Sequence, residues 1–405
     1  MEFRYKKLCK FGVVFQICIT MKQAYIKRKI ESTILEAAQY FPVITVTGPR
    51  QSGKTTMLKQ IFPHLHYYSL EDLDTRAFAM EDPVRFLHLH EEGMILDEVH
   101  NYPELLSYIQ GIVDKQPQKK FVLSGSSNFA LLRKVSQSLA GRSGVFELMP
   151  LSIEEVKGLV KYVDDADQLL YQGLYPAVCS GKNIPKFLYP SYVKTYLERD
   201  VRDLLNVKDM RQFNMFLKLC AGRIGSVFNA SEIAGEVGVS SKTIQAWVSI
   251  LQASYVVYLL PPYFENSRKR LTKSPKIYFC DTGLACCLLG IESAEQLAFD
   301  KMRGHLFENL IVMELLKRRL NEGKESNLYF YRDSNQNEVD ILVDHGSSLD
   351  AIEVKSAMTY SPSFEKALLK VNDWVNPPVA QRTIVYAGTL EDDKGDIRLL
   401  NYRNM

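Results

Sequence analysis

The stretch Gly48-Pro-Arg-Gln-Ser-Gly-Lys-Thr-Thr56 constrains this chain more than any other feature. It fits G-x-x-x-x-G-K-[ST], a pattern whose chemistry needs a strand before it and a helix after it. Both neighbours are present: the apolar, β-branched run Val43–Thr47 leads in, and a helical run opens at Met57. Glycines at both ends let the backbone N–H groups of Gln51 to Thr55 wrap phosphate oxygens at a helix N-terminus. The candidate nucleotide contacts are therefore Gly48, Pro49, Arg50, Gln51, Ser52, Gly53, Lys54, Thr55 and Thr56. ATP with Mg²⁺ is the expected ligand, with Lys54 facing the β and γ phosphates and Thr55 ligating the metal.

A second apolar strand, Met94–Leu96, runs into Asp97 and Glu98. In that position Asp97 is expected to hold Mg²⁺ through its water shell and Glu98 to orient and activate the attacking water, so hydrolysis is expected, not binding alone. Phe121–Asn128 ends another strand in small polar residues. Ser126, Ser127 or Asn128 there serves either as a sensor of the γ-phosphate or as a turn cap. Short strands at Val43–Thr47, His66–Leu70, Met94–Leu96, Phe121–Leu123 and Val145–Leu148 alternate with helical stretches, the pattern of a parallel sheet wrapped by helices.

With these motifs the chain resembles the bacterial and archaeal AAA-type ATPases that carry an uncharacterised C-terminal domain. The likeness covers nearly the whole chain from Met21. It rests on G-P-R-Q-S-G-K-T-T, on S-L-E-D at Ser69–Asp72, L-D-E at Leu96–Glu98, S-G-S-S at Ser124–Ser127, L-A-G-R at Leu139–Arg142 and T-Y-L-E-R-D-V at Thr195–Val201. Leu174–Pro176 reads L-Y-P where the family has G-Y-P. The resemblance implies an arginine at the subunit edge that completes a neighbour's site in a homo-oligomer, with Arg142 as first candidate and Arg199 and Arg202 behind it. A trans-acting arginine is worth roughly 10³ to 10⁵ in rate; Arg142, which follows a glycine, fits a solvated turn equally well.

At 405 residues the chain exceeds the roughly 250–300 that one hydrophobic core supports, so several domains are expected. The expected division is an extension over 1–20, a P-loop domain over 21–150, a helical connector or lid over 151–214, a helix-turn-helix domain over 215–300 and a last domain over 301–405. A formal net charge of +3 leaves nucleic-acid partners open, because clustering rather than the total governs phosphate binding. Seven cysteines without a CxxC pair read as reduced thiols, neither a disulfide framework nor a zinc site, in keeping with a cytoplasmic location. Arg4, Lys6 and Lys7 precede an apolar run from Phe11 to Ile19 that is too short to span a bilayer, so no membrane partner is expected.

Ser231–Gly238, then Val239 and Ser240, then Ser241–Leu251 has helix-turn-helix spacing, with Ile233, Ala234, Val237, Ile244, Trp247 and Val248 turned to one core. Ser240 or Ser241 as N-cap leaves Lys242, Thr243 and Gln245 facing outward. Arg268, Lys269, Arg270, Lys273 and Lys276 crowd the hairpin that follows. A winged helix with a basic wing touching DNA is one reading; a winged helix used for protein contacts is the other.

Beyond it, Gly304–Leu320 reads as an amphipathic helix bearing Glu308, Glu338–Val343 as a strand bearing Asp340, and Ala351–Lys355 as the next strand. Strand alternation puts Glu353 and Lys355 on one face beside Asp340. This is the E…D…ExK arrangement of restriction-endonuclease-like folds, in which Glu308, Asp340 and Glu353 bind Mg²⁺, or Mn²⁺ in its place, and Lys355 positions the attacking water. A surface pair at a strand end is the bland alternative.

The expected fold class is thus α/β: a P-loop, AAA-type parallel-sheet domain, a helical and winged-helix region, and a small α/β restriction-endonuclease-like domain. The expected activity is ATP hydrolysis coupled to a DNA-binding region that cleaves DNA, that only binds or regulates, or that contacts proteins instead. Met21 is the expected native start, so a chain beginning there should melt at the same temperature as the full chain in a thermal unfolding scan.

Overall fold

The structure, a computed structural model, describes residues 25–125, 138–197, 210–263, 274–393 and 395–405. Its first half is built on five parallel strands: β1 (Val43–Thr47), β2 (His66–Ser69), β3 (Gly93–Asp97), β4 (Lys120–Gly125) and β5 (Ser143–Glu147), in the order β2-β3-β4-β1-β5. The reason is legible in β1, whose Val-Ile-Thr-Val-Thr is buried at every position. A β-branched run with no polar face suits a strand covered on both sides. Alternation then divides the core. Val43, Met94, Leu96, Phe121 and Leu123 point toward the helix Leu105–Val113. Ile44, Val46, Ile95 and Val122 point the other way, onto Ile30, Ile34, Met57 and Leu58.

The expected connector is helical: Ile153–Val156, Ala166–Gln172, Pro176–Cys179 and Pro185–Tyr192 are short helices, and one π-turn covers Val193–Leu197. Ser152 and Glu155 form a reciprocal capping box at its start. Three helices, Met210–Ala221, Ala230–Val237 and Ser241–Ala253, precede an antiparallel hairpin of β6 (Val257–Leu260) and β7 (Lys276–Phe279). The strand expected from Tyr255 starts two residues later, because Tyr255 sits in the left-handed turn that ends the preceding helix (φ 56°).

After the helices Thr282–Leu289 and Ala294–Leu297 comes the long helix Arg303–Asn321. It leads into a second five-stranded sheet of β8 (Leu328–Arg332), β9 (Glu338–Asp344), β10 (Leu349–Lys355), β11 (Val379–Tyr386) and β12 (Arg398–Asn401). β8, β9 and β10 form an antiparallel meander, whereas β11 and β12 run parallel to β10. One sheet face buries Val339, Leu342, Ala351 and Ile384 in its own core. The other, with Ile341, Ile352, Val354 and Val385, joins a core that is continuous from Met149 to Tyr402. The residues expected as connector, helix-turn-helix and last domain therefore share one hydrophobic core.

Polar seams tie this half together. Asn309, fully buried on the long helix, accepts from the Phe279 N–H and donates to the Phe279 carbonyl, both at 2.7 Å. Glu314 accepts from the Ile153 N–H at 2.7 Å, while Lys317 donates to the Leu151 carbonyl and to Glu314, each at 2.8 Å. An unpaired buried polar group costs about 1–3 kcal/mol. Asn309→Leu strands two of them, so it should destabilise this half by roughly 2–5 kcal/mol, read as a lower midpoint in calorimetry with nucleotide binding retained.

Candidate nucleotide site and C-terminal charge cluster

The loop after β1 is forced into shape by its neighbours. Leu148 donates its N–H to the Thr47 carbonyl at 2.8 Å, and a Cβ on Gly48 (φ 146°) would sit 2.2 Å from the Leu148 oxygen. Only glycine fits there. Gln51 (φ 63°) and Gly53 (φ 95°) turn the chain, and Gly53 is the N-cap of the helix Lys54–Ile61, which has no side-chain cap. The first N–H groups of that helix are thus left to whatever lies above the loop.

Above it lies a cavity of about 520 Å³, within the range of small-ligand sites. Arg50, Gln51, Ser52, Gly53, Lys54, Thr55 and Thr56 line its floor, and Glu71 and Glu98 one side. Tyr25, Ile26 and Arg28 border it from the N-terminal segment, and Pro176, Ala177, Ser180 and Lys182 from the connector. Gly48 and Pro49 lie deeper, where their carbonyls accept from Lys54 Nζ at 2.9 and 2.8 Å. Burial of this ammonium lowers its pKa to about 8, against the pull of Glu98 and Asp97.

Asp97 ends β3 next to the cavity-lining Thr55. Its carboxylate accepts from Thr55 Oγ1 (2.6 Å), Ser124 Oγ (2.5 Å), Tyr67 OH (2.9 Å) and the Glu98 N–H (3.1 Å). Three elements thus hold one carboxylate in one orientation. Glu98 follows in a left-handed turn (φ 53°) with its carboxylate 3.1 Å from His100 Nδ1. Ser52 Oγ is fully buried without a hydrogen-bond partner at the loop apex. That orphan, the uncapped helix and the Thr55–Asp97 pair fit a Mg²⁺–triphosphate.

Other expected residues stand elsewhere. Ser126, Ser127, Asn128, Arg199, Arg202, Arg268, Lys269, Arg270 and Lys273 lie outside the described residues. Arg142 is at the N-terminal end of β5, whereas the P-loop follows the C-terminal end of the parallel β1. It therefore does not reach this chain's own cavity, and it pairs with Asp114 through Nε at 2.5 Å and NH2 at 3.0 Å. Lys242 and Gln245 are exposed at the start of their helix, and Ser240 is its N-cap, accepting from the Thr243 N–H at 3.1 Å.

The C-terminal residues converge, but not as expected. β9 and β10 pair Ile341 with Ile352, which brings Asp340 alongside Glu353. Asp340 accepts from the Val354 N–H at 2.9 Å, and Lys355 donates to Glu353 at 2.5 Å. Glu308 accepts from Tyr278 OH at 2.5 Å and from Lys276 Nζ at 3.2 Å. Burial, reinforced by Asp340, pushes Glu353 up to about 7, and burial pushes Glu308 to about 7 despite Lys276. Among the described residues no three Asp, Glu, His or Cys side chains gather where a metal ion would sit. Each member of the expected Glu308–Asp340–Glu353 set thus has a protein partner at one of its oxygens: Lys276 and Tyr278 at Glu308, the Val354 N–H at Asp340 and Lys355 at Glu353.

Comparisons with known proteins agree with the first half of this picture. Residues 40–157 match the family model described as AAA domain, 163–295 a domain of unknown function (DUF8612), and 303–405 a domain of unknown function (DUF4143). Over 371 residues the chain is 30% identical to Uncharacterized protein Rv2008c of Mycobacterium tuberculosis and, equally, to Uncharacterized protein Mb2031c of Mycobacterium bovis, spanning 89% of this chain and 80% of each relative. The chain belongs to this family of P-loop AAA-type ATPases with a C-terminal DUF4143 domain. Uncharacterized protein MJ1544 of Methanocaldococcus jannaschii is 23% identical over 367 residues, 83% of this chain and 78% of that one. Among solved structures, the Walker-type ATPase PABY2304 of Pyrococcus abyssi aligns with a TM-score of 0.47 at 15% identity, over 66% of this chain and 97% of that chain. Among the described residues of the ATPase no helix is long and apolar enough to cross a membrane.

Sequence reasoning missed Arg28, Tyr67, Ser124, Tyr196 and Tyr278, and saw Lys276 only as part of a basic run. Tyr196 accepts from Gln51 Nε2 at 3.2 Å and lies 5.0 Å beneath the Arg50 guanidinium. Only the S-G-S-S string around Ser124 and the T-Y-L-E-R-D-V string that contains Tyr196 carried a signal. Because Lys54 is a buried cation facing only carbonyls, Lys54→Met should leave the free ATPase as stable as wild type, or more so, while abolishing stabilisation by ATP in thermal-shift measurements. Gly48→Ala should lower the midpoint even without nucleotide, because the clash is with backbone.

Proposed function

We propose that the ATPase binds Mg²⁺–ATP on Lys54, Thr55 and Asp97, hydrolyses it with Glu98, and passes the state of the site to its helical half. The observation that carries the reading is Asp97, fixed by Ser124, Tyr67 and the cavity-lining Thr55, with Glu98 also lining the cavity. Bound Mg²⁺ would supply charge neutralisation and orientation of the phosphates. Lys54 exchanges the Gly48 and Pro49 carbonyls for phosphate oxygens, a charge-assisted gain. Thr55 and Asp97 hold the metal, and Glu98 orients the attacking water and takes its proton. Arg142 is kept as the arginine offered to a neighbouring subunit, since its half-buried, Asp114-paired position lies away from its own site.

What supports relay is a contact at the root of the P-loop. Thr47, buried just before Gly48, hydrogen-bonds the Tyr255 hydroxyl at 2.7 Å. Tyr255 ends the helix Ser241–Ala253 in a left-handed conformation that a bulky residue adopts only under constraint. A shift of the P-loop root therefore bears on the helix that carries Lys242 and Gln245. Their exposure supports DNA as the partner of that face, and DNA cleavage is no part of the proposal.

The test is ATP hydrolysis and plasmid integrity in one tube with Mg²⁺, for wild type, Lys54→Ala, Glu98→Gln and Asp340→Ala. Turnover should fall by about 10² to 10⁴ in Glu98→Gln and vanish in Lys54→Ala. It should persist in Asp340→Ala, with the plasmid intact throughout. Undiminished turnover in Glu98→Gln would remove its assigned role, and Asp340-dependent nicking would restore the nuclease reading. Hydrogen exchange over Ser241–Ala253 should respond to ATP in wild type and less in Tyr255→Phe.

A further inference from the structure

We propose that Lys276 is the resident cation of the C-terminal acid cluster, an internal counter-ion from the helical half that holds the last sheet where a divalent ion would otherwise be expected. Nothing in this rests on the ATP reading.

Lys276 opens β7 and is 1% exposed. Its Nζ lies 2.6 Å from Glu338 Oε1 on β9 and 3.2 Å from Glu308 Oε1 on the long helix, with the Phe330 ring centroid 5.3 Å away on β8. An ammonium has three donors and no acceptor. Here two carboxylates and an aromatic face, each from a different element of the C-terminal domain, surround it. An ammonium this deeply buried survives only where opposite charge compensates its desolvation. Glu308 and Glu338 provide that compensation.

The arrangement around the lysine is built for this contact. Tyr278, two residues on and on the same strand face, donates to the same Glu308 oxygen that faces Lys276. Gly225 (φ 71°) backs onto the cluster, where a Cβ would lie 3.3 Å from Glu308 Oε2. The Gly225 N–H donates to the Ile277 carbonyl at 2.9 Å, so the Gly225 turn is fastened to the strand that carries the lysine. Beside Glu308 on the helix, Asn309 clasps the backbone of Phe279 in both directions. Pulling the hairpin away would leave Glu308 buried without its cation. The hairpin and the last domain accordingly move as one body.

The same geometry sets Lys276 against one member of the ligand set expected from the sequence. A divalent ion takes six or more oxygens. Here one Glu308 oxygen faces Lys276 and Tyr278, an Asp340 oxygen accepts a backbone N–H, and a Glu353 oxygen accepts from Lys355. Lys276 and a metal ion would compete for Glu308, the one member of that set that the ammonium touches.

The decisive experiment uses the full chain without nucleotide, in the Asp97→Asn background so that the P-loop site lacks its metal-binding carboxylate. Mn²⁺ binding is titrated by electron paramagnetic resonance, and thermal unfolding is followed in EDTA. The wild-type cluster should show no Asp340-dependent Mn²⁺ binding up to 1 mM. Lys276→Met should lower the unfolding midpoint on the order of 5–10 °C, and adding Glu308→Gln should restore part of it by removing the stranded charge. Mn²⁺ binding that disappears in Asp340→Ala would overturn the proposal. So would a Lys276→Met midpoint equal to that of the parent. Should Lys276→Met fail to fold, the Mn²⁺ titration decides alone.

Discussion

One guanidinium bonds the P-loop, the end of the first sheet and the helical half at once. Arg28 is 5% exposed, and each of its nitrogens donates to a different segment of the chain. Nε reaches Glu155 (3.0 Å), NH1 the Ser52 carbonyl at the P-loop apex (2.9 Å) and NH2 the Met149 carbonyl just after β5 (2.7 Å). Glu155 in turn accepts from the Lys29 and Ser152 N–H groups, each at 2.8 Å. A planar fork with fixed donor directions makes three such contacts at once, and an ammonium does not. The shape of the phosphate loop, the entry into the helical half and the position of the N-terminal segment are thus set by one side chain. Any rearrangement of the loop on nucleotide exchange must be felt at Arg28.

Three buried lysines of this protein, Lys276, Lys317 and Lys54, fall into two kinds. Lys276 and Lys317 each face a carboxylate at hydrogen-bond distance, so desolvation is offset; the Lys276 pair also joins elements far apart in sequence. Lys54 is deeply buried too, yet its direct partners are two neutral carbonyls, and its pKa falls. A cation under-compensated at the edge of a cavity attracts an anion; a fully compensated one holds structure. The contrast separates the site that is poised for a ligand from the cluster that already contains its counter-charge.

Relay between the halves follows from the same economy of contacts. Tyr255 and Tyr196 reach the P-loop from opposite sides, one at its root through Thr47 and one at its apex through Gln51. Each belongs to a segment that packs into the continuous core of the second half. A loop gripped at its root and its apex transmits displacement because packed interiors do not absorb it.

Much was legible from the sequence where chemistry is local. The five-strand alternation, the glycines at 48 and 53, the acid pair after β3, the Ser240 cap and the helix-strand-strand-strand order of the last domain all follow from periodicity or from a backbone that only glycine tolerates. Those signals need no knowledge of distant partners. The E…D…ExK spacing was equally visible and brought Asp340 beside Glu353, but it could not show that Lys276, 32 residues before Glu308, would lie against that carboxylate. Nor could it show Arg28 reaching Glu155 across 127 positions, or the three expected C-terminal domains sharing one core. The sequence by itself determined the secondary structure around each motif and the kind of ligand at the P-loop, because backbone geometry and side-chain type are fixed locally. Only the tertiary structure decided which charges neutralise one another, because pairing in a low-dielectric interior depends on which elements pack together, and that is a property of the whole chain.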